Sequence, residues 1–299
     1  MLNALAMGQT QALYGHPIEN LGVPAGIAAS LSTSAVLSLY KEVSLYPKPG
    51  LVSPVDSGSH KDMDYQMFLA SINSLRDYFG KIAEAGASGT NFSTLRKLGL
   101  EAEARMMHAT KGVNTHRGAI FNLGLLCAAA GQLAHHGEHV TPEALGAVIA
   151  DQWGSEILAT GEVKAYTEYS HGQQVVSKYG IHGARHEAVS GFPAAKNYGL
   201  PAYRAALDAT GCREAAAVQA LFAMMAYLDD TNILWRAGVE GLSYVKAVSK
   251  EFLDSGGVCA EGWKSKAIGI HHEFVEKNLS PGGAADLLGV TLFMNAICG

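Results

Sequence analysis

The 299-residue chain carries 22 Lys and Arg against 27 Asp and Glu, a formal charge of −5, with 48% hydrophobic and 16% charged residues. A chain of this size buries roughly three quarters of the surface its unfolded form exposes, so it needs neither disulfides nor a structural metal to hold a core. Its mildly acidic balance gives no field for holding DNA or RNA, and no basic stripe with interleaved aromatics occurs, so nucleic-acid binding is disfavoured. A small anion held by a local basic pocket remains compatible with that charge.

In chain order, residues 1–24 mix Gly, Pro, Gln and Asn without a sustained period and read as a loosely ordered leader, with no basic and apolar blocks of a signal peptide. Ile27, Leu31, Ala35, Leu39 and Val43 then recur every fourth residue, which predicts a helix over 26–44 ended by Pro47 and Pro49. The period returns in Phe68, Leu69, Ile72, Leu75 and Phe79, in Leu95, Leu98, Ala102 and Met106, and in Ile120, Leu123, Cys127 and Leu133. Further helices are expected at 142–153, 155–169, 185–190, 200–208, 213–229, 241–254, 258–277 and 282–297. Alternating, β-branched runs are nearly absent, so the expected fold is all-α: one compact multi-helix domain over 25–299 with glycine-rich connecting loops. The apolar runs are interrupted well short of the roughly 20 residues that span a bilayer. Cys127, Cys212, Cys259 and Cys298 form no CxxC pair, which fits a reducing, cytoplasmic setting.

The 34 glycines gather in loops 50–58, 112–118, 180–191 and 282–283, which suggests close backbone approach to a ligand. Four polar loops carry the chemistry. In the first, Lys48 sits between Pro47 and Pro49, which stiffen the segment behind an ammonium group; Asp56, Asp62 and Asp64 follow as hard oxygen donors for magnesium on a nucleotide, or as simple helix-start acids. In the second, Lys111, His116 and Arg117 precede an apolar helix. Cations there oppose the helix dipole unless an anion binds, which favours a phosphate site over a bare cap at Asn114 or Thr115.

The third loop holds Asp229, Asp230, Asn232 and Arg236, with the acids read as needing Arg236 or a metal as partner. In the fourth, Ser280 is read as cap and Pro281 as first helical residue. Gly282 and Gly283 leave the first-turn amides bare for phosphate oxygens, and Asp286 lies one turn in. Arg185 and Glu187 read as structural. His135, His136, His139, His271 and His272 read as solvated helix ends. No P-loop, dinucleotide-binding, GxSxG or HExxH motif is present.

The segments EVSLYPKPGLVSPVDSGSHKDMD, GVNTHRGAIFNLGLL, GARHEAVSGFP, DDTNILWR and SPGGAADLLGVTLF occur in one fixed order from residue 42 to the C-terminus. Taken together they resemble the triphosphoribosyl-dephospho-coenzyme A synthases. The resemblance implies an all-α enzyme that moves the 5-triphosphoribosyl group of ATP to the 2′-hydroxyl of 3′-dephospho-CoA and releases adenine. The product is then the prosthetic-group precursor for an acyl carrier protein of citrate lyase or malonate decarboxylase. The SPVDSGSH stretch and Leu228-Asp229-Asp230 lean toward the malonate decarboxylase branch.

For that reaction Glu42 or Asp64 is expected as the base, and Asp62, Asp230 and Asp286 as Mg2+ ligands. Lys48, His60, His116, Arg117, Asn232, Arg236, Ser280, Gly282 and Gly283 are expected to bind substrate phosphates. ATP and 3′-dephospho-CoA are the expected partners, with an acyl carrier protein downstream; a homodimer is allowed, and neither nucleic acid nor membrane is expected. The alternatives are a magnesium-dependent hydrolase of ADP-ribosyl or nucleoside bonds, and a non-catalytic helical partner of an acyl carrier protein.

Overall fold

Apolar stripes at helical spacing need a common partner, and in the computed structural model, which describes residues 24–160, 174–175, 178–181 and 183–298, they find one another. The helices are α1 (Pro24–Val43), α2 (Tyr65–Ser74), α3 (Arg76–Ala87), α4 (Phe92–Ala109), α5 (Arg117–His135), α6 (Pro142–Val148), α7 (Gly154–Ala159), α8 (Ala184–Val189), α9 (Leu200–Thr210), α10 (Arg213–Met225), α11 (Thr231–Asp254), α12 (Trp263–Glu276) and α13 (Gly282–Ile297). No strand occurs among the described residues, so the all-α expectation holds. The predicted stripe of α1 is buried at Leu31, Ala35, Leu39 and Val43.

At the centre lies α5, buried over Ala119, Ile120 and most of Asn122–Leu133. It is the one described helix long and apolar enough to cross a membrane by length and composition, against the expectation from the interrupted runs, yet 72% of its most apolar window is buried inside the protein. Helix α3 packs directly on it. Gly86, Gly124 and Gly131 permit this, because a Cβ at any of them would collide with the facing helix. Part of the glycine content therefore serves helix contact and not loops. Helix α13, buried from Leu287 to Met294, packs on α1, α5 and α10.

Several boundaries differ from the sequence expectation. The run from Phe68 to Phe79 is two helices, because the backbone turns at Leu75 between Ser74 and Arg76. The helix expected at 142–153 passes through a π-helical turn, Ile149–Trp153, into α7; residues 161–169 of the next expected helix lie outside the described residues, as do 1–23 of the leader. Residues 231–236, read as loop, form the first turns of α11, which is interrupted at Gly238 (φ 62°, ψ −161°) where a residue with a Cβ is strained. Helix α12 begins at Trp263, after a 3₁₀ turn at Gly257–Cys259.

Candidate active site

Helices α1, α5 and α13 contact one another and α11 contacts α13, so that the C-terminus of α1 and the N-termini of the other three border one space. The segment between α1 and α2 covers the junction. A cavity of about 160 Å³ opens there, bordered by Glu42, Lys48, His60, His116, Arg117, Gly118, Asn232, Arg236, Ser280, Gly282 and Asp286. The polar loops, separated by up to about 240 positions in sequence, thus share one cavity. Asp62, Asp64, Asp230 and Gly283 do not border it.

Lys48 is 1% exposed and Glu42 5% exposed, and they are paired. The Nζ of Lys48 donates to Glu42 Oε1 at 2.6 Å and to the Glu42 carbonyl at 3.0 Å. Burying one of these charges without the other costs several kcal/mol, so the pair forms a unit. The backbone of the Lys48 segment is held from behind by His271. Its Nδ1 lies 3.1 Å from the Lys48 carbonyl and 3.3 Å from the Gly50 amide, while Nε2 lies 3.0 Å from Asp56 Oδ2. His271 is 1% exposed, which overturns its reading as a solvated helix end. The signal was its place on the Ala267, Ile270, Phe274 stripe of α12. The exposed His135, His136, His139 and His272 match that reading.

Arg236 donates from NH1 to the Ser59 carbonyl (3.1 Å) and to Asn278 Oδ1 (2.8 Å), and its NH2 lies 3.2 Å from His60 Nδ1. His60 Nε2 lies 2.8 Å from Ser280 Oγ. Burial and then the Arg236 charge pull the His60 imidazole below its ordinary range, so it is neutral at pH 7. Asp62 is exposed, with Oδ1 3.6 Å from His60 Nδ1. Asp64 is exposed and caps α2, accepting from the Met67 amide at 2.8 Å. Asp56, Asp62 and Asp64 therefore do not converge, and among the described residues no group of three His, Cys, Asp or Glu side chains is placed to hold a metal.

Asp230 is 3% exposed and caps two helices at once. Its Oδ1 accepts from Asn232 N (2.8 Å) and Ile233 N (3.4 Å) at the start of α11, and Oδ2 accepts from Ala284 N (2.9 Å) in the first turn of α13. Both N-termini are positive dipole ends, so the carboxylate suits them. Burial raises its pKa and the three amides oppose that rise. Arg236 is thus not the partner expected for the acid pair: Asp229 pairs with Lys246 at 2.6 Å, and Asp230 is met by backbone amides. Helix α13 starts at Gly282, with Pro281 and not Ser280 in the cap position. A Cβ at Gly282 or Gly283 would press on Asn232 or Asp230, a structural reason for the glycine pair besides phosphate approach.

Asp286 is half-buried at the cavity. Its carboxyl is raised well above the usual range by burial, then by Glu42 and Asp230, with the Ala119 amide pulling the other way. Gly118 abuts that carboxylate so closely that any Cβ would overlap it. Gly118→Ala is expected to destabilise the protein by about 1–3 kcal/mol, the usual cost of overpacking, read as a fall in Tm. His116, at the cap position of α5, is 2% exposed with Nδ1 2.6 Å from Ser71 Oγ, and its Nε2 has no hydrogen-bond partner among the described residues. Arg117 is exposed and donates to Glu103 Oε2 at 3.0 Å. Away from the cavity, Glu187 accepts from the Ala194 amide at 2.7 Å, a structural role as expected. Ser71 was missed, because nothing in sequence links residue 71 to residue 116.

A fold that is helical throughout its described residues and gathers a buried lysine, two arginines, carboxylates and three helix N-termini around one cavity is that of a group-transfer enzyme for phosphorylated substrates. The family model described as ATP:dephospho-CoA triphosphoribosyl transferase (CitG) matches residues 28–298. A probable 2-(5''-triphosphoribosyl)-3'-dephosphocoenzyme-A synthase of Acinetobacter calcoaceticus is 43% identical over 267 residues, 89% of this chain and 90% of that protein. The 2-(5''-triphosphoribosyl)-3'-dephosphocoenzyme-A synthase of Klebsiella pneumoniae is 37% identical over 265 residues, 87% and 88% of the two chains. No solved structure matches. The chain belongs to the CitG family of triphosphoribosyl transferases.

Proposed function

We propose that the cavity grips the triphosphate of ATP while the ribosyl carbon passes from adenine to the 2′-hydroxyl of 3′-dephospho-CoA. The observation that carries this reading is the convergence of Lys48, Arg236 and the α5, α11 and α13 N-termini beside Glu42 and Asp286. Cations and the positive ends of helix dipoles suit phosphate oxygens. Carboxylates suit the positive charge that builds on a sugar losing its base. At about 160 Å³ the cavity is smaller than the roughly 300–1,000 Å³ of sites that enclose a whole ligand. It therefore takes the reacting part of ATP about the ribose, with the edge of the departing base, and leaves the pantetheine arm of the acceptor outside.

Of the two carboxylates advanced as the base, Glu42 borders the cavity and Asp64 caps a helix outside it, so we assign the 2′-hydroxyl proton to Glu42. Asp64→Asn keeps a good N-cap and is expected to leave turnover near that of the parent protein; a large loss would return the base to Asp64. Lys48, Arg117, Arg236, His60, Asn232, Ser280 and Gly282 hold phosphate oxygens in this scheme.

Magnesium fits the donor set. Glu42 and Asp286 line the cavity with the Asn232 and Ser280 side chains, and Mg2+ is usually held by one or two carboxylates plus substrate phosphates, not by an all-protein cage. Asp286 and Asn232 would hold it, and it would neutralise triphosphate charge. The acyl carrier protein of malonate decarboxylase as final destination belongs to the same proposal and rests on the SPVDSGSH and Leu228-Asp229-Asp230 segments.

The test is incubation with ATP, Mg2+ and 3′-dephospho-CoA. Free adenine together with a gain of one triphosphoribosyl unit on the acceptor supports transfer. Adenine from ATP alone turns the reading to hydrolysis, and no adenine under either condition overturns it.

A further inference from the structure

His116 is a deeply buried group at the cavity with a nitrogen that no described residue of the protein uses. Its tautomer follows from Ser71. That serine is wholly buried on α2, and among the described residues its hydroxyl has no partner other than His116 Nδ1. A buried hydroxyl without an acceptor costs about 1–3 kcal/mol, so the Ser71 O–H donates to Nδ1 and the ring proton sits on Nε2. Burial, and secondarily Lys48, pull the imidazole down to about 3, so the ring is neutral at pH 7 and Nε2 remains a donor.

The surroundings say what such a donor suits. The Phe68 ring meets His116 edge-on at 4.9 Å, and Leu39, Leu51, Val52 and Met63 also border the cavity. An uncharged N–H among apolar side chains fits a flat, neutral heteroaromatic acceptor. Phosphate has Lys48, Arg117 and Arg236 to choose from and gains less from a neutral imidazole.

We propose that His116, oriented by Ser71, donates a hydrogen bond from Nε2 to N3 or N7 of the departing adenine. This rests on the triphosphoribosyl-transfer reading. In the step, the C1′–N9 bond breaks with its electron pair going to adenine, and the acceptor 2′-oxygen forms the new bond to C1′. The hydroxyl proton passes to Glu42 and, through solvent, ends on the released adenine. His116 keeps its own proton throughout and stabilises the negative charge spreading over the purine nitrogens. Donors of this kind are worth about 10²–10³ in kcat.

The experiment compares the parent enzyme, His116→Ala, His116→Gln and Ser71→Ala with ATP, 7-deaza-ATP and 3-deaza-ATP, in which N7 or N3 becomes C–H. With ATP, His116→Ala is expected to slow base release about 10²–10³-fold, His116→Gln, which keeps a donor, less so, and Ser71→Ala less still with KM for ATP unchanged. One deaza analogue should slow the parent enzyme strongly and His116→Ala scarcely further, the non-additivity that marks a shared contact. Losses that multiply for both analogues, or a His116→Ala defect confined to KM, overturn the proposal. If His116→Ala does not fold, as judged by circular dichroism, His116→Gln carries the comparison, and equal rates of the parent enzyme with all three nucleotides overturn it. A parent enzyme that releases no adenine from ATP overturns the underlying reading instead, so the two failures are distinct.

Discussion

Lys48→Met is expected to abolish turnover and to destabilise the fold by about 3–5 kcal/mol, because it strands the Glu42 carboxylate in a site that is 5% exposed. The double variant Lys48→Met/Glu42→Gln is expected to recover most of that stability and none of the activity. The reason is that the pair's stability contribution is mutual satisfaction, through the 2.6 Å Nζ–Oε1 contact, and removing both charges leaves neither unpaired. On the proposed function its catalytic contribution is charge delivered to the cavity, which no neutral pair replaces. Urea unfolding of the two variants and the parent protein gives the coupling energy directly. A double variant as unstable as the single one would mean that Lys48 acts through packing of its stem and not through Glu42.

Asp286→Asn should do the opposite to stability while also removing activity. The carboxyl is raised well above its ordinary range by burial and by the facing Glu42 and Asp230, so the folded chain holds a proton that the unfolded chain has released. Below the ordinary carboxylate pKa of about 3.9 both states are protonated and the group costs nothing. As pH rises from there toward the folded-state value, the folded state loses ground, and the shortfall is complete above it. Asn keeps an acceptor for the Ala119 amide without the charge. At pH 7–8 the variant is therefore expected to be more stable by about 1 kcal/mol or more, after discounting for water in the cavity, or at least about 2 °C in Tm. That advantage should shrink steadily as pH is lowered toward 4. A Tm gain that is independent of pH would assign the effect to packing, and an active Asp286→Asn would remove this carboxylate from the magnesium proposal.

The two predictions describe one trade-off. On the proposed reading the cavity meets a polyanion and a cation together, and its own groups sit uneasily: two carboxylates repel, a lysine is buried, and among the described residues a histidine nitrogen has no partner. Such sites are maintained at the expense of stability.

How much of this was legible before folding can be judged residue by residue. The stripe Leu31, Ala35, Leu39, Val43 fixed α1 because a 3.6-residue period leaves one face apolar whatever its neighbours. His116 was picked out from cations opposing a helix dipole, Lys48 from its flanking prolines, Arg236 as a partner for the acid pair, Ser280 and Asp286 from a glycine-bared helix start, and Glu42 from the family resemblance, and they do share a cavity. Asp62 and Asp64 were picked by the same residue-type reasoning and stand outside it, since spacing cannot tell a helix cap from a ligand. Asp230 went further astray: two acids after an apolar helix look like a mismatch with that helix's negative end, and only the fold reveals that Asp230 starts the next helix and reaches across to Ala284, 54 residues on. The Arg236 turn, read as loop, is helical because Asp230 supplies its cap.

By itself the amino-acid order determined that this chain is helical, where most of its helices run, and which family's motifs it carries, because propensity, periodicity and fixed motif order are local or linear properties. Tertiary structure alone decided that Ser71 orients His116, that His271 braces the Lys48 segment from α12, and that the Glu42 charge helps raise the Asp286 carboxyl. Each of those depends on distances between groups 45 to more than 240 positions apart, and a side chain's charge state, tautomer and partner are set by what lies within a few ångströms in space, which no one-dimensional pattern encodes.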